Sequence, residues 1–154
     1  SGLPGDAGDN INAMIRSWKD ILGAEITIEY VDPDNYTEEL RKNPGHIVSY
    51  GWCADYPDPE NFLDLLFHSA SEFNPTGYNN PEVDALLEQA RSEPDPAVRI
   101  ELYQQAERLI IEDGAVLPMF HSRMNQLVSP RVQGYTISPM GTSYVFDIAL
   151  VGDN

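Results

Sequence analysis

Between residues 58 and 96 one local device occurs three times. Asp58-Pro59, Asn80-Pro81 and Asp95-Pro96 each set a short polar side chain directly before a proline. Asp or Asn in that place accepts hydrogen bonds from the free N–H groups of a helix's first turn. Proline at the first helical position gives up an N–H that has no partner there. The three dipeptides predict helices beginning near 59, 81 and 96. The residues downstream have the matching period. Val83, Leu86, Leu87 and Ala90 form one apolar stripe, and Val98, Leu102, Ala106, Leu109 and Ile110 form another, which Gly114 ends.

The chain before this region reads differently. Residues 1–10 are rich in Gly and Asp and predict a loop. Ile11, Met14, Ile15, Trp18, Ile21 and Leu22 then recur at helical spacing, and Gly23 is a stop. EITIEYV alternates and predicts a strand at 25–31, and residues 34–43 predict a short helix ended by Asn43, Pro44 and Gly45. HIVSYGW at 46–52 predicts a second strand. Helix, strand, helix, strand is the α/β order, with parallel strands joined by crossover helices. Further on, AVLPMF at 115–120 reads as a buried strand interrupted at Pro118. QLVSP at 126–130 and SYVFDIALV at 143–151 are shorter strand candidates. At 154 residues, 42% hydrophobic and 22% charged, the whole of 1–154 is expected to form one lobe with its own core.

Charge narrows the function. The net charge is −16, from 25 acidic and 9 basic residues. Phosphate recognition depends on Lys and Arg, so nucleic acid is excluded as a partner, and docking on anionic lipid by charge alone is disfavoured. No run approaches the length of a membrane span. Residues 1–10 lack the basic and apolar stretches of a secretory leader, which leaves the compartment open.

Catalytic and metal chemistry find little support. His46, His68 and His121 are far apart in sequence and read as surface or satisfied core residues. DPDNYTEEL at 32–40 fails as a calcium loop. Pro33 lies inside it, Thr37 occupies the glycine position, and Asn43 falls where a bidentate Glu is required. There is no G-x-S-x-G and no glycine-rich phosphate loop, and Cys53 has no His nearby in sequence. Asp55 and Asp58 could in principle act as an acid–base pair, but Asp58 has a sufficient duty as a helix cap. No catalytic residue, metal or cofactor is expected. Cys53, the single cysteine, is either a buried filler or half of a bridge to a partner outside these residues.

One stretch remains, GWCADYPDPENF at 51–62. It lies at the C-terminal end of a predicted strand, where ligands of open α/β sheets bind. DPENF is accounted for as a helix start. GWCAD is not. Gly51 allows close approach of backbone or ligand, and Trp52 offers a flat apolar face that can also meet a cation. Asp55 cannot cap the helix that Asp58 starts. An ammonium beside Trp52 and Asp55 would gain a charge-assisted hydrogen bond and a cation–π contact. The alternative is that Trp52 packs in the core and Asp55 forms an Asx-turn before Pro57.

GWCADYPDPENFLDLLF, GYNNPEVDALLEQAR, RIELYQQAERLIIEDGAVLPMF and LVSPRVQGY, in that order, resemble the C-terminal lobe of the oligopeptide/dipeptide-type (family 5) solute-binding proteins of bacterial ABC importers. The resemblance runs over most of residues 10–150. It implies one lobe of a type II clamshell, a lobe without its partner and without a strand before residue 1, acting outside the cytoplasm and lipid-anchored in some full-length forms. It implies a small solute, foremost a peptide, and ABC permease subunits as partners, and no enzymatic reaction. Asp55 would then pair with a peptide's α-amino group, Trp52 would line the side-chain pocket, and the backbone around Gly51 and Cys53 would bond the extended peptide as a strand does. Two positions depart from the family pattern. Ser122 falls near a pocket aromatic of the relatives, and Ser49 lies where some place a basic residue for the peptide carboxylate. In some relatives the cysteine of this segment is disulfide-bonded to an upstream cysteine. Family members that bind oligosaccharides, nickel complexes or other solutes share much of A-D-Y-P-D-P, and a carboxylate-based hydrolase is the reading furthest from the family.

Overall fold

The computed structural model describes residues 8–42, 45–119, 125–138 and 140–152. The chain falls into two compact units, the first reaching Gly45 and the second beginning at His46.

In the first unit, α1 (Gly8–Leu22) carries the expected stripe. Ile11, Met14, Ile15 and Trp18 are half-buried, while Ile21 and Leu22 are exposed and no residue is fully buried. Gly23, at φ +67°, ends the helix, its N–H meeting the Lys19 carbonyl at 3.0 Å. Residues 24–32 form neither helix nor ladder, with Ile26 and Ile28 half-buried in alternation. A 3-10 turn (Pro33–Asn35) leads into α2 (Tyr36–Lys42), which buries Leu40.

The second unit is built on α3 (Glu60–Phe67), α4 (Pro81–Ser92) and α5 (Pro96–Glu112). The three Asp/Asn-Pro steps act as the sequence predicts. Asn80 Oδ1 accepts the Glu82 N–H at 2.9 Å, and Asp95 Oδ1 accepts those of Ala97 and Val98 at 2.8 and 3.4 Å. Asp58 Oδ1 accepts the Glu60 N–H at 3.0 Å, and Pro59 already has helical dihedrals. Gly114, at φ +67°, closes α5 in a Schellman arrangement, with its own N–H on Ile111 and that of Ala115 on Ile110.

α4 and α5 are joined by three residues and pack together through Val83, Leu87 and Ala90 against Leu102, Tyr103, Ala106 and Ile110. Leu63 and Phe67 of α3 cover this core. One member of the predicted α5 stripe is displaced. Val98 is 41% exposed and Tyr103 is 2% exposed. α5 has two helical neighbours rather than one, so the face carrying Tyr103 turns towards α3 and is covered as well.

The parallel sheet expected from the sequence does not form among the described residues. The one sheet there is antiparallel and two-stranded, β1 (Val132–Gln133) with β2 (Ala149–Leu150), in the register Val132–Leu150 and Gln133–Ala149. Residues 46–54, 115–119 and 125–129 form neither helix nor strand. AVLPMF is therefore not a buried strand, because Leu117 and Met119 are exposed, and Phe120 lies outside the described residues. SYVFDIALV breaks into a 3-10 turn (Val145–Asp147) before β2. Gly134 follows β1 at φ +73°. A Cβ there would lie 1.8 Å from the Asp147 carbonyl oxygen, so only glycine fits. No helix among the described residues is long and apolar enough to cross a membrane.

Candidate functional site

The site is assembled by the entry into α3. Residues 46–54 form neither helix nor strand, and they bring Tyr50 and Trp52 together. Their rings are near-parallel (15°) with centroids 6.4 Å apart, and Phe73 meets Trp52 edge-on at 5.8 Å. The chain then turns, the Asp58 N–H meeting the Tyr56 carbonyl at 2.9 Å, and α3 begins. Asn61, in the first turn of α3, is 0% exposed and reaches back across the turn. Its Oδ1 accepts the Trp52 indole N–H at 3.0 Å and the Asp55 backbone N–H at 2.9 Å. Its Nδ2 donates to Asp55 Oδ2 at 3.3 Å.

The packing alternative for Trp52 is met in part. Trp52 is half-buried and its indole N–H is committed to Asn61, which leaves the ring face as its contact surface. Asp55 is exposed, and its carboxylate has a partner in Asn61 rather than in an Asx-turn. Gly51 is exposed, and a Cβ there would meet nothing within 4 Å, so the space beside it is open. Cys53 is exposed and free, which overturns the buried-filler reading. Ser122 lies outside the described residues.

The turn is fastened to α5. Arg99 donates through Nη1 to Asp58 Oδ2 at 2.6 Å and through Nη2 to Oδ1 at 2.8 Å. The same guanidinium bonds the Tyr103 hydroxyl at 3.1 Å and the Ala90 carbonyl at 3.2 Å. Arg99 holds the Asp58 carboxyl below the usual carboxylate range, against a smaller opposing effect of burial. A second ion pair lies in the helical core, where Arg91 grips Asp64, which is 3% exposed, through both carboxylate oxygens. Tyr78 and Asn80 both donate to Asp113, at 2.6 and 2.7 Å. Burial, then Asp113, pushes the Tyr78 hydroxyl up to about 12.

Asp55 and Asp58 are thus engaged by different groups, Asn61 and Arg99, and do not form an acid–base pair with each other. His46 is exposed. His68 is buried, its Nδ1 accepting the Ala70 N–H at 3.1 Å and its Nε2 3.5 Å from Glu88. His121 lies outside the described residues, among which no group of three metal-ligating side chains occurs. A groove of about 360 Å³ lined mainly by Pro59, Phe62, Leu63, Ile100 and Tyr103 contains neither Asp55 nor Trp52.

Asn61 is the residue that reading the sequence missed. DPENF was accounted for as a helix start, and Asp58 does start it. The available signal was a short amide inside a helix's first turn, where Asn is a poor helix former unless its side chain serves nearby backbone groups.

No protein-family model matches the chain. It is 29% identical over 140 residues to the periplasmic oligopeptide-binding protein OppA of Salmonella typhimurium, which covers 90% of this chain and 26% of that protein. It is 33% identical over 129 residues to heme-binding protein A of Haemophilus influenzae, covering 82% of this chain and 23% of that protein. Among solved structures, OppA of Burkholderia pseudomallei superposes with a TM-score of 0.77 at 29% identity, over 93% of this chain and 29% of that one. The coarse fold is therefore that of the α/β solute-binding proteins, although the chain spans only about a quarter of the length of the curated relatives it matches. Over most of its length, then, the chain is homologous to the oligopeptide- and dipeptide-binding proteins.

Proposed function

We propose that this chain is one lobe of a two-lobed, type II extracytoplasmic solute-binding protein, and that it captures short peptides or similar amine-bearing solutes for an ABC importer. The observation that carries this reading is the exposed Asp55 carboxylate, held by Asn61 next to the Trp52 ring. An α-ammonium at Asp55 gains a charge-assisted hydrogen bond, and the neighbouring side chain gains an aromatic face. The exposed backbone at Gly51 and Cys53 can pair with an extended peptide main chain. Affinity comes from closure, because only the closed state lets the ligand touch both lobes. The protein binds and releases its solute unchanged, and the permease is its partner at the membrane. In the complete lobe, the segments of the second unit that read as strands join the parallel sheet that their sequences predict.

The similarity to a heme-binding protein favours a second reading within the same fold, in which the aromatic face takes a flat apolar solute and no amine is required. Calorimetric titration of the full-length protein separates the two. Tri-alanine binds, and N-acetylation of the peptide or Asp55→Asn each weakens binding by roughly tenfold or more, the cost of an unpaired desolvated charge. Equal affinity for free and acetylated peptide would sink the amine-capture role, and tight hemin binding indifferent to Asp55 would establish the second reading.

A further inference from the structure

We infer that Asn61 is a positioning residue, whose buried amide sets the Asp55 carboxylate and the Trp52 indole as one unit. Capture of an amine at Asp55 then depends on a side chain that the ligand does not touch. The inference rests on the amine-capture reading above and adds to it the residue that pre-organises the site.

The amide's orientation has one solution. Two N–H donors, from Trp52 and from the Asp55 backbone, converge on Oδ1, while Nδ2 faces a carboxylate oxygen. Turning the amide over would set NH₂ against both donors and a carbonyl oxygen against a carboxylate, three repulsive contacts in place of three bonds. Asn61 is 0% exposed, so water does not reach the amide itself to replace its bonds. Its own place is fixed by α3, whose first turn is capped by Asp58 and fastened through Asp58 to Arg99 on α5. The helical core thereby sets the aim of an exposed carboxylate. Asn61 occupies one acceptor position on Oδ2, and a carboxylate has about four such positions, so capacity for an ammonium remains. An aimed carboxylate avoids the ordering cost that a freely rotating one meets on binding. The same amide takes up the indole N–H, which holds the ring that the ligand side chain would meet.

The test is a double-mutant cycle on the full-length protein, with tri-alanine and N-acetyl-tri-alanine as probes. Asn61→Leu is expected to weaken tri-alanine binding about tenfold, to cost the acetylated peptide clearly less because only the Trp52 ring is then displaced, and to shift the Trp52 indole N–H resonance. In the Asp55→Asn background the same substitution should cost clearly less than in the parent, because the part that acts through that carboxylate is gone. Should Asn61→Leu fail to fold, Asn61→Ser runs the same cycle with a smaller polar side chain. Fold-losses that multiply independently, or equal losses for both peptides, would overturn the positioning role while leaving amine capture standing. If Asp55→Asn alone binds tri-alanine as the parent does, amine capture fails and this inference fails with it.

Discussion

The second unit contains two kinds of chain that fare differently. From 58 to 115 the helices are capped, closed and packed on one another, with Val83, Leu87, Ala106 and Ile110 removed from solvent. At 46–54 and 125–129 the chain forms neither helix nor strand, and Ile47 and Leu127 stand exposed. Both regions have apolar sequences with the right period. The difference lies in where their hydrogen bonds go. A helix satisfies its backbone within itself, and α4 and α5 need only three linking residues to bury each other's stripes. A strand's N–H and C=O groups point to another strand, which local sequence cannot supply.

The sharpest way to break this contrast is to attack the helical region through its buried ion pair. Asp64 is 3% exposed and Arg91 is its partner. Arg91→Met keeps most of the apolar stem but strands the carboxylate. Leaving a buried charge unpaired costs about 3 kcal/mol or more. Urea unfolding should register the loss as a fall in midpoint, with the far-UV helix signal at zero urea unchanged. A variant as stable as the parent would show that this core does not depend on the pair.

A smaller effect is expected at the join between the two regions. Asp58 caps α3 and is also clamped by Arg99. Its carboxyl is held below the usual range, chiefly by Arg99. A depressed carboxyl contributes stability that is present above its ordinary pKa and is lost as pH falls through the folded value. The contribution is about 1 kcal/mol, since both side chains remain partly exposed. Asp58→Asn keeps a side chain able to cap and removes the charge. Thermal unfolding should show the variant less stable than the parent at pH 7, with the gap closing as pH drops below the ordinary carboxylate range. A gap constant from pH 7 to pH 2 would exclude the ion pair as its source.

The contrast also explains what could be read in advance. The three helix starts were legible because capping is a matter of two adjacent residues, and the stripes of α4 and α5 were legible because their partners are each other. Tyr103 did not stand out in the α5 stripe, since its burial depends on a third helix. Trp52 and Asp55 stand out in the sequence as an aromatic and a carboxylate, and the structure gives both a shared partner in Asn61. Asn61 was not, because its work is done on residues six and nine positions away, across a turn whose shape the sequence does not state. The sheet was the least legible feature, since alternation in EITIEYV or HIVSYGW marks a strand but names no neighbour.

The smallest expected effect tests the segment at 125–129 itself. Leu127 is fully exposed, so Leu127→Ser in the 154-residue chain should change stability by no more than about 0.5 kcal/mol, as surface substitutions do. The proposed complete lobe makes a different demand. If 125–129 joins a sheet there, Leu127 becomes a covered side chain, and its truncation costs about 2 kcal/mol or more through lost burial and the cavity left behind. Urea unfolding of the same substitution in the chain and in the full-length protein gives the comparison directly. A negligible change in the first with a clear loss in the second supports completion of the sheet by chain from elsewhere in the protein. Negligible changes in both would mean that this segment stays outside the sheet, and that the apolar pattern of QLVSP serves some other surface.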